Sequence, residues 1–300
     1  MSISLTILGC HSATPRTFAH PTSQYLEINN KRFLIDCGEG TQVQLRKYKI
    51  KFSTIEHIFI SHLHGDHYFG LIGLISTFGL LNRKNDLNIY APTGLKKIIT
   101  LQLKTSNSWP QFNIIFHELK SNESELIFED NKVEVHTVPL EHRVYTNGFI
   151  FKEKVGERKL NNLKDGRNFV MEKGQIIAND TLTFNPNKPL SYAFCSDTIY
   201  KPEITSIIKN VDLLYHESTF LKDRQDTAVT TKHSTAEEAG KIAKKANAGK
   251  LILGHYSSRY NDIELFKQEA ETIFDNVILA KAGKVIKIDS KVPKVLTEVE

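Results

Sequence analysis

The run Ser61-His62-Leu63-His64-Gly65-Asp66-His67 follows directly on a β-branched and aromatic stretch, His57-Ile58-Phe59-Ile60, and its spacing governs how the rest of the chain is read. It offers three imidazoles and one carboxylate, nitrogen and oxygen donors of the kind that zinc accepts, in a loop too short to hold them far apart. Gly65 lets the chain turn sharply, so that the first pair can face one ion and the last pair another. The competing reading is a hydrogen-bonded polar loop without metal. Four donors packed this closely make that reading the weaker one.

Four ligands cannot fill the shells of two ions, so more are required from distant positions. The pattern supplies them just past strand ends: His142 after a strand at 132–138, Asp197 after one at 192–195, and His255 after one at 251–253. Taken singly, each is an ordinary core or surface residue. Their common placement marks them as candidates, and Asp197, with two carboxylate oxygens, can bridge a pair of ions.

Working outward, short β-branched or alternating segments predict strands at 3–8, 24–28 and 32–36, the last two joined as a hairpin through Asn29, Asn30 and Lys31. Gly38, Glu39 and Gly40 break the pattern before a helix at 41–47. A strand at 57–61 leads into the histidine run, and the apolar stretch 69–81 predicts a buried helix. Further strands are expected at 87–91, 113–118, 125–129, 132–138, 192–195, 211–215, 251–253, 277–280 and 284–288. Helices are expected at 94–105, 203–209, 235–246 and 262–274. Segment 151–190 is polar, carries turn signals, and reads as an excursion from the core, a small arm with one hairpin. Strands come first and helices later, without strict alternation of the two, which favours a β-sandwich flanked by helices. No internal repeat or sustained heptad is present.

The chain has 300 residues, enough for a sizeable core, with 40% apolar and 24% charged side chains, as in ordinary soluble globular proteins. No apolar run approaches a membrane span and the N-terminus lacks a secretory pattern, so a cytoplasmic location is expected. Three widely spaced cysteines, Cys10, Cys37 and Cys195, suggest reduced thiols rather than a disulfide framework. A net charge of +5 and a pI near 8.9 are compatible with a polyanionic partner.

In order and spacing, His62, His64, Asp66, His67, His142, Asp197 and His255 resemble the metallo-β-lactamase superfamily over nearly the whole chain. That resemblance implies an α/β architecture, an αβ/βα sandwich of two sheets with outer helices. Narrower motifs are similar to those of ribonuclease Z, the tRNA 3′-processing endonuclease family. They are Leu8-Gly9-Cys10 through Pro15, Leu34 to Gln42, His216-Glu217-Ser218-Thr219-Phe220, His233-Ser234-Thr235-Ala236 and Gly254-His255-Tyr256-Ser257-Ser258-Arg259-Tyr260. The resemblance implies that His62, His64 and His142 hold one zinc and Asp66, His67 and His255 the other, with Asp197 bridging. It further implies that Asp66 accepts the proton of the attacking water, that His233 approaches the scissile phosphate, and that Glu217 orients His233. The plain alternative for His233 is a histidine at a helix start, beside an N-cap Ser234 or Thr235.

The expected function is therefore removal of 3′ trailers from tRNA precursors by a zinc-dependent endoribonuclease with two Zn2+ per chain, leaving a 3′-hydroxyl on the tRNA and a 5′-phosphate on the trailer. Manganese or iron(II) would accept the same donors. Residues 1–300 are expected to form a single domain with an inserted basic arm at about 151–190. The arm is short for the family and lacks a Gly-Pro element, and the alternative for it is a solvated lysine-rich loop. The resemblance also suggests a homodimer. A small-molecule phosphodiesterase or other hydrolase of the same fold is the alternative enzyme. A metal-free RNA-binding scaffold is disfavoured, because all seven candidate ligands are intact.

Overall fold

A computed structural model describes residues 2–14, 16–156 and 188–290, together with the backbone of four short strand segments between 159 and 184. The first sheet is built from β1 (Ser2–Gly9), β2 (Ser23–Ile28), β3 (Lys31–Cys37), β4 (His57–Phe59), β5 (Leu87–Pro92) and β6 (Ile114–Leu119). The second begins with β7 (Leu126–Glu129), β8 (Val133–Pro139) and β9 (Asn147–Glu153). After β10 (Lys159–Leu160), β11 (Phe169–Val170), β12 (Ile176–Ile177) and β13 (Thr183–Phe184), it continues with β14 (Ser191–Cys195), β15 (Leu213–Glu217), β16 (Leu251–Gly254) and β17 (Val277–Leu279). The last strand, β18 (Val285–Asp289), returns to the first sheet and pairs with β1.

Both sheets have seven strands, in the orders β18-β1-β2-β3-β4-β5-β6 and β17-β16-β15-β14-β9-β8-β7. Each is antiparallel in one half and parallel in the other, β3 to β6 in the first and β14 to β17 in the second. Parallel neighbours need crossovers. These carry helices α1 (Thr41–Lys47), α2 (Gly65–Tyr68), α3 (Gly70–Leu80) and α4 (Leu95–Thr105) on the first sheet, and α5 (Gln225–Thr231), α6 (Ala236–Lys245) and α7 (Glu264–Glu271) on the second. Helix–strand alternation is thus present within each half. The leading antiparallel strands of each half conceal it in the sequence.

The period-2 alternation of strands divides the core in two. Phe33, Ile35 and Phe59 turn inward between the sheets, where Phe149, Phe151, Tyr192 and Leu213 of the second sheet meet them. Leu34, Ile58 and Ile60 turn outward and pack under Leu71, Leu74, Phe78 and Ile99 of α3 and α4. Ring centroids of Phe33 and Phe151 lie 5.2 Å apart, and those of Phe59 and Phe149 5.4 Å, so aromatic pairs tie one sheet to the other.

Most expected elements form within a few residues of their expected bounds, and the differences have physical causes. The hairpin turn is only Asn29-Asn30, both at positive φ (48° and 63°), and Lys31 already belongs to β3. The expected 69–81 helix is preceded by α2, whose short turn Gly65–Tyr68 carries Asp66 and His67. At 202–206 a 3₁₀ turn (Pro202–Ser206) replaces the expected helix at 203–209: Pro202 fixes its start, and irregular turns follow it as far as left-handed Asn210. Helix α5 has only Ala228 buried, so no apolar period announced it. Strand β9 was not expected, and the excursion expected from about 151 begins only after it. Phe149, Ile150 and Phe151 are buried without alternation, the pattern of a strand covered on both faces. The arm expectation otherwise falls largely outside the described residues. Within it, backbone pairs Lys159↔Phe184 and Phe169↔Ile177 form two nested antiparallel ladders.

Candidate metal centre

The candidate ligands sit where chains leave the sheets. His62 to His67 follow β4, His142 lies between β8 and β9, Asp197 follows β14 and His255 follows β16, so five carboxyl-terminal strand ends and one hairpin converge when β3 and β15 are included. Asp36, Asp197 and His255 have φ of 55°, 59° and 61°. Such left-handed backbone is uncommon for residues with a Cβ and is held only where surrounding structure over-determines it.

Three overlapping groups of ligand atoms result: one joins His233 to Asp197 and His255, and the other two are made of the sequence-derived candidates alone. In the first of these two, His62 Nε2 and His142 Nε2 lie 3.0 and 3.2 Å from His64 Nδ1, and Asp197 Oδ2 is 3.6 Å from His62 Nε2. In the second, His67 Nε2 and His255 Nε2 each lie 3.5 Å from Asp66 Oδ2, and 3.3 and 3.2 Å from Asp197 Oδ1. Asp197 therefore turns one carboxylate oxygen to each cluster. All seven sequence-derived ligands are brought together.

A cation fits both places on this structure's own terms. His67 Nε2 and His255 Nε2 are buried and make no hydrogen bond among the described residues, a costly arrangement unless something else accepts their lone pairs. In the first cluster three ring nitrogens face one another with no room for three protons. Burial opposes charge on His67, yet Asp197, Asp66 and Asp36 hold its ring well above the usual histidine value. Burial opposes charge on Asp197 too, and His255, His67 and His62 keep its carboxyl well below the ordinary range. The carboxylates draw positive charge into a buried place, and divalent ions supply it without crowding.

The far sides of four of the five rings, those of His62, His67, His142 and His255, are fixed by residues for which the sequence offered no assigned role. His142 Nδ1–H donates to the Lys232 carbonyl (2.8 Å), leaving Nε2 for the cluster. Asp36 accepts from His67 Nδ1–H (2.7 Å), from Ser61 N–H (2.8 Å) and from the Ser61 hydroxyl (2.9 Å). His62 Nδ1 in turn lies 3.0 Å from Ser61 Oγ, so one buried aspartate steadies a ring of each cluster. Asp36 and Ser61 both lay inside stretches already singled out, but only their contacts show what they do.

Beside the second cluster, His233 Nδ1–H donates to Glu217 Oε1 at 2.9 Å. Burial would discharge this imidazole, but the Glu217 carboxylate outweighs it and raises His233 to about 9. Glu217 is fully buried and steadied by the Thr198 N–H (2.7 Å) and by the Thr219 hydroxyl. Thr219 Oγ1 also accepts from His255 Nδ1–H at 2.8 Å, so one hydroxyl joins a candidate metal ligand to the Glu217–His233 pair. The helix-start reading of His233 is met in part: the N-cap of α6 is Thr235, in a capping box with Glu238, two residues beyond it. A cleft of about 400 Å³ opens over these groups, with Arg143 and Arg259 in its walls.

Solved structures share this architecture. Human tRNase Z, short form, is 28% identical with a TM-score of 0.72, covering 96% of this chain and all of that one. The metallo-β-lactamase fold protein YhfI from Bacillus subtilis is 19% identical with a TM-score of 0.70, over 96% of this chain and 100% of its own. Fold and clusters together define a hydrolase of the metallo-β-lactamase fold with sites able to bind metal. A family model described as Anti-Pycsar protein Apyc1 matches residues 3–278. Ribonuclease Z of Bacteroides fragilis is 44% identical over 299 residues, and that of Bacteroides thetaiotaomicron 45% over 302, each match covering 95% of this chain and 98% and 95% of the relative. The chain belongs to the family that this model describes and, by identity along nearly its whole length, to the ribonuclease Z family.

Proposed function

We propose that the chain is a metal-dependent endoribonuclease that removes 3′ trailers from tRNA precursors, leaving a 3′-hydroxyl on the tRNA and a 5′-phosphate on the trailer. One observation carries this reading: Asp197 is shared between two ligand clusters beside a Glu217–His233 pair, in a chain 44% identical to a ribonuclease Z almost end to end. That length of match leaves a small-molecule hydrolase of the same fold as the weaker reading.

His62, His64 and His142 would hold one zinc ion and Asp66, His67 and His255 the other, with Asp197 bridging; manganese and iron(II) suit the same donors. Such ions, when bound, make water acidic enough to attack at neutral pH and stabilise charge on phosphoryl oxygens. In this reading Asp66 takes the proton of the attacking water. His233, kept protonated by Glu217, gives a proton to the leaving 3′-oxygen, while Arg143 and Arg259 line the cleft to receive phosphates. No 2′-hydroxyl takes part.

Residues 1–300 act as one domain in this reading, with a basic arm in the 151–190 interval that leans on the tRNA body. A second copy of the chain is the further partner: Val43, Phe69, Leu80 and Leu81 on and beside neighbouring α1 and α3 are exposed, Leu80 by 84%, and a homodimer would cover them. The three buried free thiols suit a reducing cytoplasm, and no helix among the described residues is long and apolar enough to cross a membrane.

The test is to incubate the protein with a trailer-bearing tRNA precursor, with and without chelator, and to map both product ends. Metal-dependent cutting with a 3′-hydroxyl and a 5′-phosphate is expected. A cyclic phosphate on the upstream product would overturn the mechanism.

A further inference from the structure

The loop between β1 and β2 is a wall with two faces. On one face Ser12, Ala13 and Thr14 line the cleft over the metal ligands. On the other, His11, Phe18 and His20 line a separate cavity of about 380 Å³, completed by Lys47 and Tyr48 at the end of α1 and by Lys281 in the turn before β18. The wall is anchored to the site itself, since the ring of His11 lies 5.6 Å from that of Tyr256, the neighbour of His255.

We propose that this cavity is a second binding site, which takes one nucleotide of the single-stranded RNA adjoining the scissile bond. Its size lies within the roughly 300 to 1,000 Å³ typical of small-ligand sites. Phe18 is 92% exposed, a whole aromatic face left in water at the rim. Stacking of a base on such a ring is how proteins hold single strands without reading sequence. The charge has the right sign as well. Among the described residues no carboxylate lines the cavity and Lys47 makes no ion pair, its ammonium lying 5.5 Å from the centroid of the Tyr48 ring, and Lys281 reaches Glu264 at 3.1 Å while still lining the space. The tyrosine floor is preformed: Gly283, at φ 88°, packs so closely that a Cβ there would come within 2.6 Å of the Tyr48 ring.

The two histidines complete the chemistry. His11 and His20 are both half-buried, and burial together with Lys47 lowers His20, so the neutral ring is favoured. A neutral imidazole can donate from one nitrogen and accept at the other, as the edge of a base requires. A strand cut in the cleft must leave it, and the β1–β2 loop that lines the cleft with Ser12, Ala13 and Thr14 also carries Phe18.

The proposal rests on the RNA-cutting reading above, and the experiment separates the two. The full chain and the double variant Phe18→Ala, Lys47→Glu are compared on a precursor tRNA with a long 3′ trailer, on the same precursor trimmed to a single trailer nucleotide, and on bis(p-nitrophenyl) phosphate. If the cavity holds the trailer, kcat/KM of the variant falls about ten- to a hundredfold on the long substrate alone. If it holds the strand upstream of the cut, both precursors lose equally. In either case the small diester is hydrolysed as before, and Phe18→Trp, which keeps an aromatic face, retains wild-type rates. Unchanged kcat/KM on both precursors overturns the proposal, as does an equal loss on the small diester, which would assign the loop to support of the cleft. Failure of the unaltered chain to cut either precursor, with diester hydrolysis intact, would overturn the RNA reading and the cavity with it.

Discussion

His233 and Glu217 show how much a single contact decides. Alone in this buried position the imidazole would be neutral; the carboxylate 2.9 Å away keeps it charged to about pH 9. If it acts as the acid, activity depends on the protonated form and falls as pH rises through that value. In Glu217→Gln, burial is left to dominate, and the alkaline limb of the kcat–pH profile moves toward or below the ordinary histidine value of about 6.5. His233→Ala should lower kcat by about 10² to 10⁴ while metal content, measured by elemental analysis, stays at the wild-type level. Loss of metal instead would make His233 a ligand. Thr219 gives a complementary test, because its hydroxyl is the acceptor that fixes His255 Nδ1–H. Thr219→Val should weaken metal affinity roughly ten- to a hundredfold in a chelator competition, and Thr219→Ser should restore it.

Strand β9 is the element on which the two sheets depend most visibly, lying between β8 and β14 with Phe149 and Phe151 buried against Phe59 and Phe33. Phe151→Ala removes a fully buried ring and should cost about 3 to 5 kcal/mol in urea unfolding. A change under 1 kcal/mol would place that ring outside the core. The arm makes the opposite prediction. Removing 155–185 should raise KM for precursor tRNA and spare hydrolysis of bis(p-nitrophenyl) phosphate; equal losses on both substrates would show that the segment supports the fold. Both elements carry basic or apolar residues in one continuous stretch of sequence. They part at Glu153, which is buried and accepts the Leu190 N–H at 2.9 Å, closing the base of the excursion.

At the scale of the molecule, the parallel half of each sheet directs its carboxyl-terminal strand ends to one edge, and at that common edge the candidate metal ligands meet. Ligands collect at such ends in open parallel sheets because loops there are free to vary while the strands stay rigid. The exposed apolar row on α1 and α3 belongs to the same scale. Leu80→Glu should shift the chain toward monomer in sedimentation velocity without unfolding it, and a monomeric wild type would remove the homodimer from the account.

The histidine run, the three distant candidate ligands and most strand positions are legible in the sequence because each is a local signal: donors in one loop, a period of two, a turn residue at a strand end. Asp36, Ser61, Thr198 and Thr219 are not, since nothing about a lone hydroxyl or carboxylate tells which ring it will meet across the sheet. The cavity behind the β1–β2 loop is of the same kind. Chain order determines which residues can serve; only folding, by bringing strand ends from opposite halves within hydrogen-bond reach, decides which of them share a proton or an ion.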